Sequence, residues 1–232
     1  MQHGSAPASL VVWAAESIST PVPMQVARVT IDLMRPVPLT ELALETEVLR
    51  AGRKIQLCAV RLKSDGVVVV GATVLKIRRE VQPLPPDIAD LPVALPGPEA
   101  SFPEPANFST SPFVKCVSLR AARGRFGVRG PGAIWYRVDR PLIAGAGISQ
   151  AMRAVVAADF CNGTSAALDF HQWTFINADL SVNFAREPVG EWILLDAESW
   201  VGPEGAGLAM ARLADTSGYF GRVVQSLVVE KR

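Results

Sequence analysis

The chain has 232 residues, of which 49% are hydrophobic and 19% charged, with a formal net charge of +1. That is core material for one large domain or two of roughly 100 residues each, and it excludes a disordered chain. Charge so nearly balanced, with no long run of one sign, also argues against nucleic acid as a partner, because phosphate binding needs a clustered basic surface.

In chain order, Ala6–Glu16 reads as a short apolar helix, with Pro7 near its start, where proline is tolerated. Val29–Arg35 reads as a strand, and the turn Asp65-Gly66 leads into another, Val67–Ile77. Residues 82–111 are dense in proline and poor in periodic hydrophobics. They read as a linker between a front module, 1–81, and a back module, 112–232. The back module opens with candidate strands near 113–120 and 133–139. Within this region Arg120–Arg129 forms a basic cluster, either a solvated hairpin or a contact for an anionic ligand such as a coenzyme A phosphate. Ile148, Ala151, Met152, Val155 and Val156 recur at helical spacing over Gly147–Phe160. Ile176, Ala178, Leu180, Val182 and Phe184 alternate with polar residues, the period of a half-buried strand. Strands near 191–200, 206–214 and 220–229 follow, joined by short Gly- or Asp-containing turns.

The two modules echo each other. Val29-Thr30-Ile31-Asp32-Leu33-Met34-Arg35 matches Leu180-Ser181-Val182-Asn183-Phe184-Ala185-Arg186 in character at an offset of 151, and the same offset carries Leu44–Glu47 onto Leu195–Glu198. An internal duplication accounts for this. One helix followed by an antiparallel meander, twice over, predicts an α+β protein in which each module wraps a sheet around a central helix. The front module starts almost at its helix, without counterparts of the leading strands of the back module. Its sheet edges then need cover, and a homo-oligomer is expected.

Cys58, Cys116 and Cys161 fit neither a disulfide framework nor a metal-ligand spacing, and read as small hydrophobes in a reducing compartment. The apolar run Leu10–Ala15 is too short to span a membrane, and no Lys or Arg precedes it as in a secretory signal. No membrane partner and a cytoplasmic location are expected.

Asp159 is the first candidate for chemistry. Ile148, Met152, Val155 and Asp159 share one helix stripe, so the carboxylate falls among apolar side chains, where it can serve as a general base; the other reading is a helix-end Asp turned to solvent. Gln225 shares a strand face with Val223, Leu227 and Val229. Left unpaired there, its amide would cost about 1–3 kcal/mol, so it bonds a carboxylate, a water or a ligand, or makes a purely structural hydrogen bond. Asn177 lies on the polar phase of its strand with Asp179, Ser181 and Asn183, where a surface position is the default. Gly145 and Gly147 precede the second helix, where small residues let a ligand approach the unpaired first-turn amides. His3 and His171 stand without a nucleophile, metal-ligand set or acid partner nearby in sequence, and His171 reads as a loop or strand-edge residue.

Taken together, these segments resemble the bacterial acyl-CoA thioesterase II group of the thioesterase-like, double hotdog superfamily. The residues carrying the resemblance are Gln2–Pro7, Asp32–Pro36, Val155–Phe160, Phe175–Leu180, Pro188–Trp192 and Val223–Gln225. It implies a tandem hotdog fold and hydrolysis of acyl-CoA to free acid and coenzyme A, with no metal or redox cofactor. The family's site in the C-terminal hotdog is an Asp, a Thr or Ser, and a Gln that position the attacking water. These fall on Asp159, Asn177 and Gln225, with Asn177 a departure from the hydroxyl. Gly145, Gly147 and Ile148, at the start of the second helix, are the expected substrate contacts. In the front module the corresponding positions are Glu16, Val26 and, counted from the glycines Gly71 and Gly221, Leu75, so that module reads as structural. Two rival readings are a non-catalytic acyl-CoA or lipid-binding protein and a hydratase or dehydratase, which would need an Asp–His pair.

Overall fold

The computed structural model describes residues 1–85, 88, 92–105 and 111–232. Part of the proline-rich stretch, residues 86, 87, 89–91 and 106–110, lies outside the described residues. The front module comprises α1 (Ser5–Glu16), β1 (Met24–Asp32), β2 (Ala43–Ala51), β3 (Ile55–Ser64) and β4 (Val67–Arg78). The rest of the chain forms β5 (Phe102–Pro103), β6 (Val117–Arg123), β7 (Gly132–Val138), α2 (Gln150–Ala158), α3 (Cys161–Thr164), β8 (Trp173–Asn177), β9 (Asp179–Phe184), β10 (Trp192–Val201), β11 (Ala206–Asp215) and β12 (Gly218–Lys231). No helix among the described residues is long and apolar enough to cross a membrane.

All strands join one antiparallel sheet in the order β2-β3-β4-β1-β9-β12-β11-β10-β7-β6-β5, with β8 also paired to β12. The order is palindromic about the β1–β9 seam. At that seam Thr30 faces Ser181, its own mate in the 151-residue repeat, so a pseudo-twofold axis passes between them. The inner face of the sheet carries the core, and α1 and α2 lie against it. Both helices bury small side chains, Ala8, Ala14 and Ala15 on one and Ala151, Ala154 and Ala157 on the other, which lets them pack closely. They run antiparallel, since Ser5 at the start of α1 meets Val156 and Asp159 at the end of α2.

Two departures from the sequence reading follow from register. The stretch 176–184, expected to be one alternating strand, breaks at Ala178. Against β12 its pairing slips by one residue between Asn177–Leu227 and Ser181–Val224. A one-residue bulge reverses which side chains face inward: Leu180, Val182 and Phe184 are buried beyond it, but before it Phe175 is buried and Ile176 is 53% exposed. The same slip occurs in β1 between Val26 and Arg28, at the same place in the repeat. The second departure is in β4. Val29 pairs with Val74, and Leu180 and Gln225 occupy the same places one repeat later, so the front counterpart of Gln225 is Val74 rather than Leu75. The position stays apolar.

Described residues of the proline-rich stretch lie down on the outer face of the back sheet. Phe102–Pro103 adds a short strand to β6. Val93 and Leu95 pack on a small outer cluster around Trp135, whose Nε1 donates to Pro96 O at 2.9 Å. At the other end of the sheet, β2 is an edge strand exposed along its length. Its repeat counterpart β10 is flanked by β7; among the described residues no strand occupies that place beside β2.

Asp215 fastens the corner between β9 and the β11–β12 turn. Its carboxylate is fully buried and takes two bonds from Arg186, at 2.6 and 2.9 Å, and two from the N–H groups of Val189 and Ser217. Burial pushes its pKa up, but these donors and the Arg186 charge outweigh it and hold the carboxyl below its ordinary range. A depressed folded-state value contributes stability that is present above the unfolded pKa of about 4 and is lost as pH falls through the folded one. Asp215→Asn is therefore expected to lose about 3 kcal/mol near neutral pH. Urea denaturation at neutral pH and at successively lower pH should show the difference between the two proteins shrinking once pH falls below the ordinary carboxylate range.

Candidate active site

Asp159 is the C-cap residue of α2 and keeps helical backbone angles, φ −66° and ψ −18°. The stripe of Met152 and Val155 therefore continues inward to the carboxylate, which is 4% exposed. An anion at a helix C-terminus stands at the unfavourable end of its own helix dipole. The arrangement is tolerable because the N-terminus of α1, the favourable end, abuts the same carboxylate. Gly4 sits so close that a Cβ there would lie 2.5 Å from Asp159 Oδ1 and 2.8 Å from Oδ2, which excludes any other residue without movement.

Three side chains converge on the carboxylate. Ser5 Oγ lies 3.0 Å from Oδ2 and equally near Val156 O. His3 Nδ1 lies 3.0 Å from Oδ2. Asn177 Nδ2 donates to Oδ1 at 3.1 Å. Burial raises the Asp159 pKa, but the hydrogen bond and charge of His3, with the donors Ser5 and Asn177, outweigh it and hold the carboxyl below its usual range. Asn177 reaches this place through the bulge at Ala178, which brings a side chain from the polar phase of the strand to the inner face.

Gln225 is fully buried directly behind. Its Nε2 donates to Asp159 O at 3.3 Å and Ala158 O at 3.5 Å, and its Oε1 accepts from the Asn162 N–H at 3.2 Å. These are backbone groups left over where α2 ends and α3 begins, so Gln225 holds the corner that carries Asp159 rather than its carboxylate.

Gly145, Gly147 and Ile148 are not brought to Asp159. They precede the N-cap Ser149, at the opposite end of about 14 Å of helix. Amides there cannot share a carbonyl with Asp159; the helix N-terminus that meets it belongs to α1. The end of α2 near Gly147 faces Glu16 instead. Burial pushes the Glu16 carboxyl up, partly opposed by a hydrogen bond with Ser149, an arrangement related by the pseudo-twofold to that of Asp159 and Ser5. In this front counterpart Val26 replaces Asn177 and Val74 replaces Gln225. Buried Lys76, the mate of Leu227, donates to Ile18 O at 3.0 Å and lines with Glu16 a cavity of about 190 Å³.

The reading of His3 as a residue without an acid partner is corrected by the fold. It lies 156 residues from Asp159 in the chain, and no local spacing signals the pairing. The antiparallel helix pair and the duplication together are the signal that could have found it, and Ser5 with it. His3 stacks on Phe113, with centroids 5.3 Å apart and planes 8° apart, and leans on Phe160 at 4.7 Å. His171 is exposed in the turn before β8. In the basic cluster, Arg120, Arg123 and Arg125 are each paired with a carboxylate, Glu99, Asp196 and Glu104 respectively. Cys58 and Cys161 are buried free thiols. Burial, then the Asp159 charge, pushes the Cys161 thiol well up, so it is no nucleophile at neutral pH.

Comparison with known proteins bears on both modules. The family described as the acyl-CoA thioesterase N-terminal domain matches residues 1–77, and that described as the acyl-CoA thioesterase C-terminal domain matches residues 89–229. No curated protein sequence matches. Among solved structures, the chain is similar to a tesB protein of Mycobacterium avium subspecies paratuberculosis, at 16% identity and TM-score 0.72 over 99% of this chain and 87% of that one. It is also similar to the acyl-CoA thioesterase II TesB2 of Mycobacterium marinum, at 17% identity and TM-score 0.73 over 98% and 88%. A conserved hot dog protein of Alicyclobacillus acidocaldarius gives 15% identity and TM-score 0.75 over 98% and 86%. At these identities the structures establish the double hotdog fold. With its front and back parts matched in order to the two domains of one family, the chain belongs to the acyl-CoA thioesterase family of hydrolases.

Proposed function

We propose that the chain hydrolyses acyl-CoA thioesters to free acid and coenzyme A at the Asp159 carboxylate. The observation that carries this reading is the meeting of a buried, ionised carboxylate with the N-terminus of a helix from the other module. Hydrolysis needs a negative charge to activate water and positive dipoles where charge develops on the thioester oxygen. Asp159 supplies the first. The start of α1 supplies the second, through its helix dipole and the Gly4 N–H, since Ala6 N–H is bonded to His3 O and Pro7 has no N–H; this is the role that the sequence assigned to Gly147. Asn177 orients the carboxylate, and Gln225 acts indirectly by fixing the end of α2. The His3–Asp159 contact favours a second reading, reversible addition of water to an enoyl thioester. Hydration of a short enoyl-CoA, followed by loss of its conjugated absorbance, tests it.

Asp159→Asn preserves shape while removing charge. It is expected to lower kcat/KM by roughly 100-fold or more across a panel of acyl-CoA chain lengths, measured on folded protein, since removing a charge held by three donors also costs stability. Unchanged hydrolysis would remove the proposal. Gln225→Ala is expected to divide differently, losing about 1–3 kcal/mol of stability through its orphaned backbone partners. Chemical denaturation of both variants separates the two roles. Because the Asp159 pKa is depressed, loss of activity through protonation of that carboxylate is expected only below the ordinary carboxylate range, which the acid limb of a pH–rate profile of folded protein would show.

A further inference from the structure

The Asp159 carboxylate is nearly sealed, with Asn177 on Oδ1 and both Ser5 and His3 on Oδ2. Little room remains for a water to bond it directly. The His3 side chain, by contrast, is 24% exposed, so water can reach the imidazole that contacts the charge. Two groups lie near its Nδ1: Asp159 Oδ2 at 3.0 Å and the Ser5 N–H at 3.3 Å. One nitrogen cannot donate to the first and accept from the second at once. The contact with the ion is shorter and charge-assisted, so Nδ1 carries the proton and Nε2 is left with a lone pair. Among the described residues Nε2 has no hydrogen-bond partner, and the ring is held flat on Phe113 and against Phe160.

From this geometry we infer that His3 Nε2 is the proton acceptor for the attacking water, with Asp159 the positioning residue behind it, in a dyad assembled from both modules. The inference rests on the assignment of the active site to Asp159. As water attacks the thioester carbonyl carbon, one of its protons passes to Nε2. The new carbon–oxygen bond forms and the carbonyl electrons move to the oxygen facing the first turn of α1. Collapse of the tetrahedral adduct breaks the carbon–sulfur bond. The imidazolium returns its proton to the departing thiolate, giving acid, free thiol and neutral His3.

His3→Phe keeps a ring between Phe113 and Phe160 but removes both nitrogens, and His3→Ala leaves a space for imidazole. Both variants are expected to retain the wild-type melting temperature within a few degrees and to lose kcat by about 100-fold or more, with KM little changed. Added imidazole should restore His3→Ala in a concentration-dependent way and leave His3→Phe inactive. If His3→Phe retains kcat within about threefold while Asp159→Asn is dead, His3 is a packing residue and the inference fails while the Asp159 site stands. If neither substitution lowers hydrolysis, the site assignment fails with it. Should His3→Ala not fold, the kcat of folded His3→Phe decides alone: loss supports the dyad and retention overturns it.

Discussion

A carboxylate buried at the C-terminal end of a helix is electrostatically misplaced, and in this chain much of the architecture serves to make it tolerable. Asp159 would be unstable as an ion if its own module stood alone, because its helix dipole and its desolvation both oppose the charge. The compensation comes from the other module: the start of α1 with Gly4, the hydroxyl of Ser5 and the imidazole of His3. Close packing of two alanine-rich helices makes this meeting possible, and the continuous sheet through Thr30 and Ser181 fixes its geometry. Site and module interface are the same piece of structure.

That dependence accounts for what could be read from the sequence. Asp159 and Gln225 were legible because helical and strand periods locate a side chain without knowledge of its neighbours. The repeat was legible for the same reason, and with it the two antiparallel modules, though not their joining into one palindromic sheet. Asn177 was hidden from periodicity and named only through the resemblance, since a period of two was carried through Ala178, where one extra residue changes the phase. His3 and Ser5 were hidden by distance along the chain. First-turn amides were looked for at the start of α2 because the rule linking helix N-termini to anions was applied within a single helix, whereas the N-terminus beside Asp159 is that of α1. The pseudo-twofold moves the required N-terminus onto its partner.

The two ends of the helix pair show how duplication tolerates divergence. At one end Asp159 has a serine, a histidine and an asparagine; at the other Glu16 has a serine and lies near Lys76, with valines at the positions of Asn177 and Gln225. The helices can pack equally at both ends, since the contact depends on small side chains rather than on the polar groups. Polar side chains can therefore differ between the two ends without loosening the helix contact.

The bulges at Ala27 and Ala178 take this further. The one in the back module aims Asn177 at the carboxylate, whereas its twin in the front module aims only a valine. Both modules keep a kink that costs ladder hydrogen bonds, although only one presents a polar side chain at it. Backbone shape is thus shared between the two modules where side-chain chemistry is not. The front half is a scaffold already bent for a site, in which new chemistry could be installed by substitution alone.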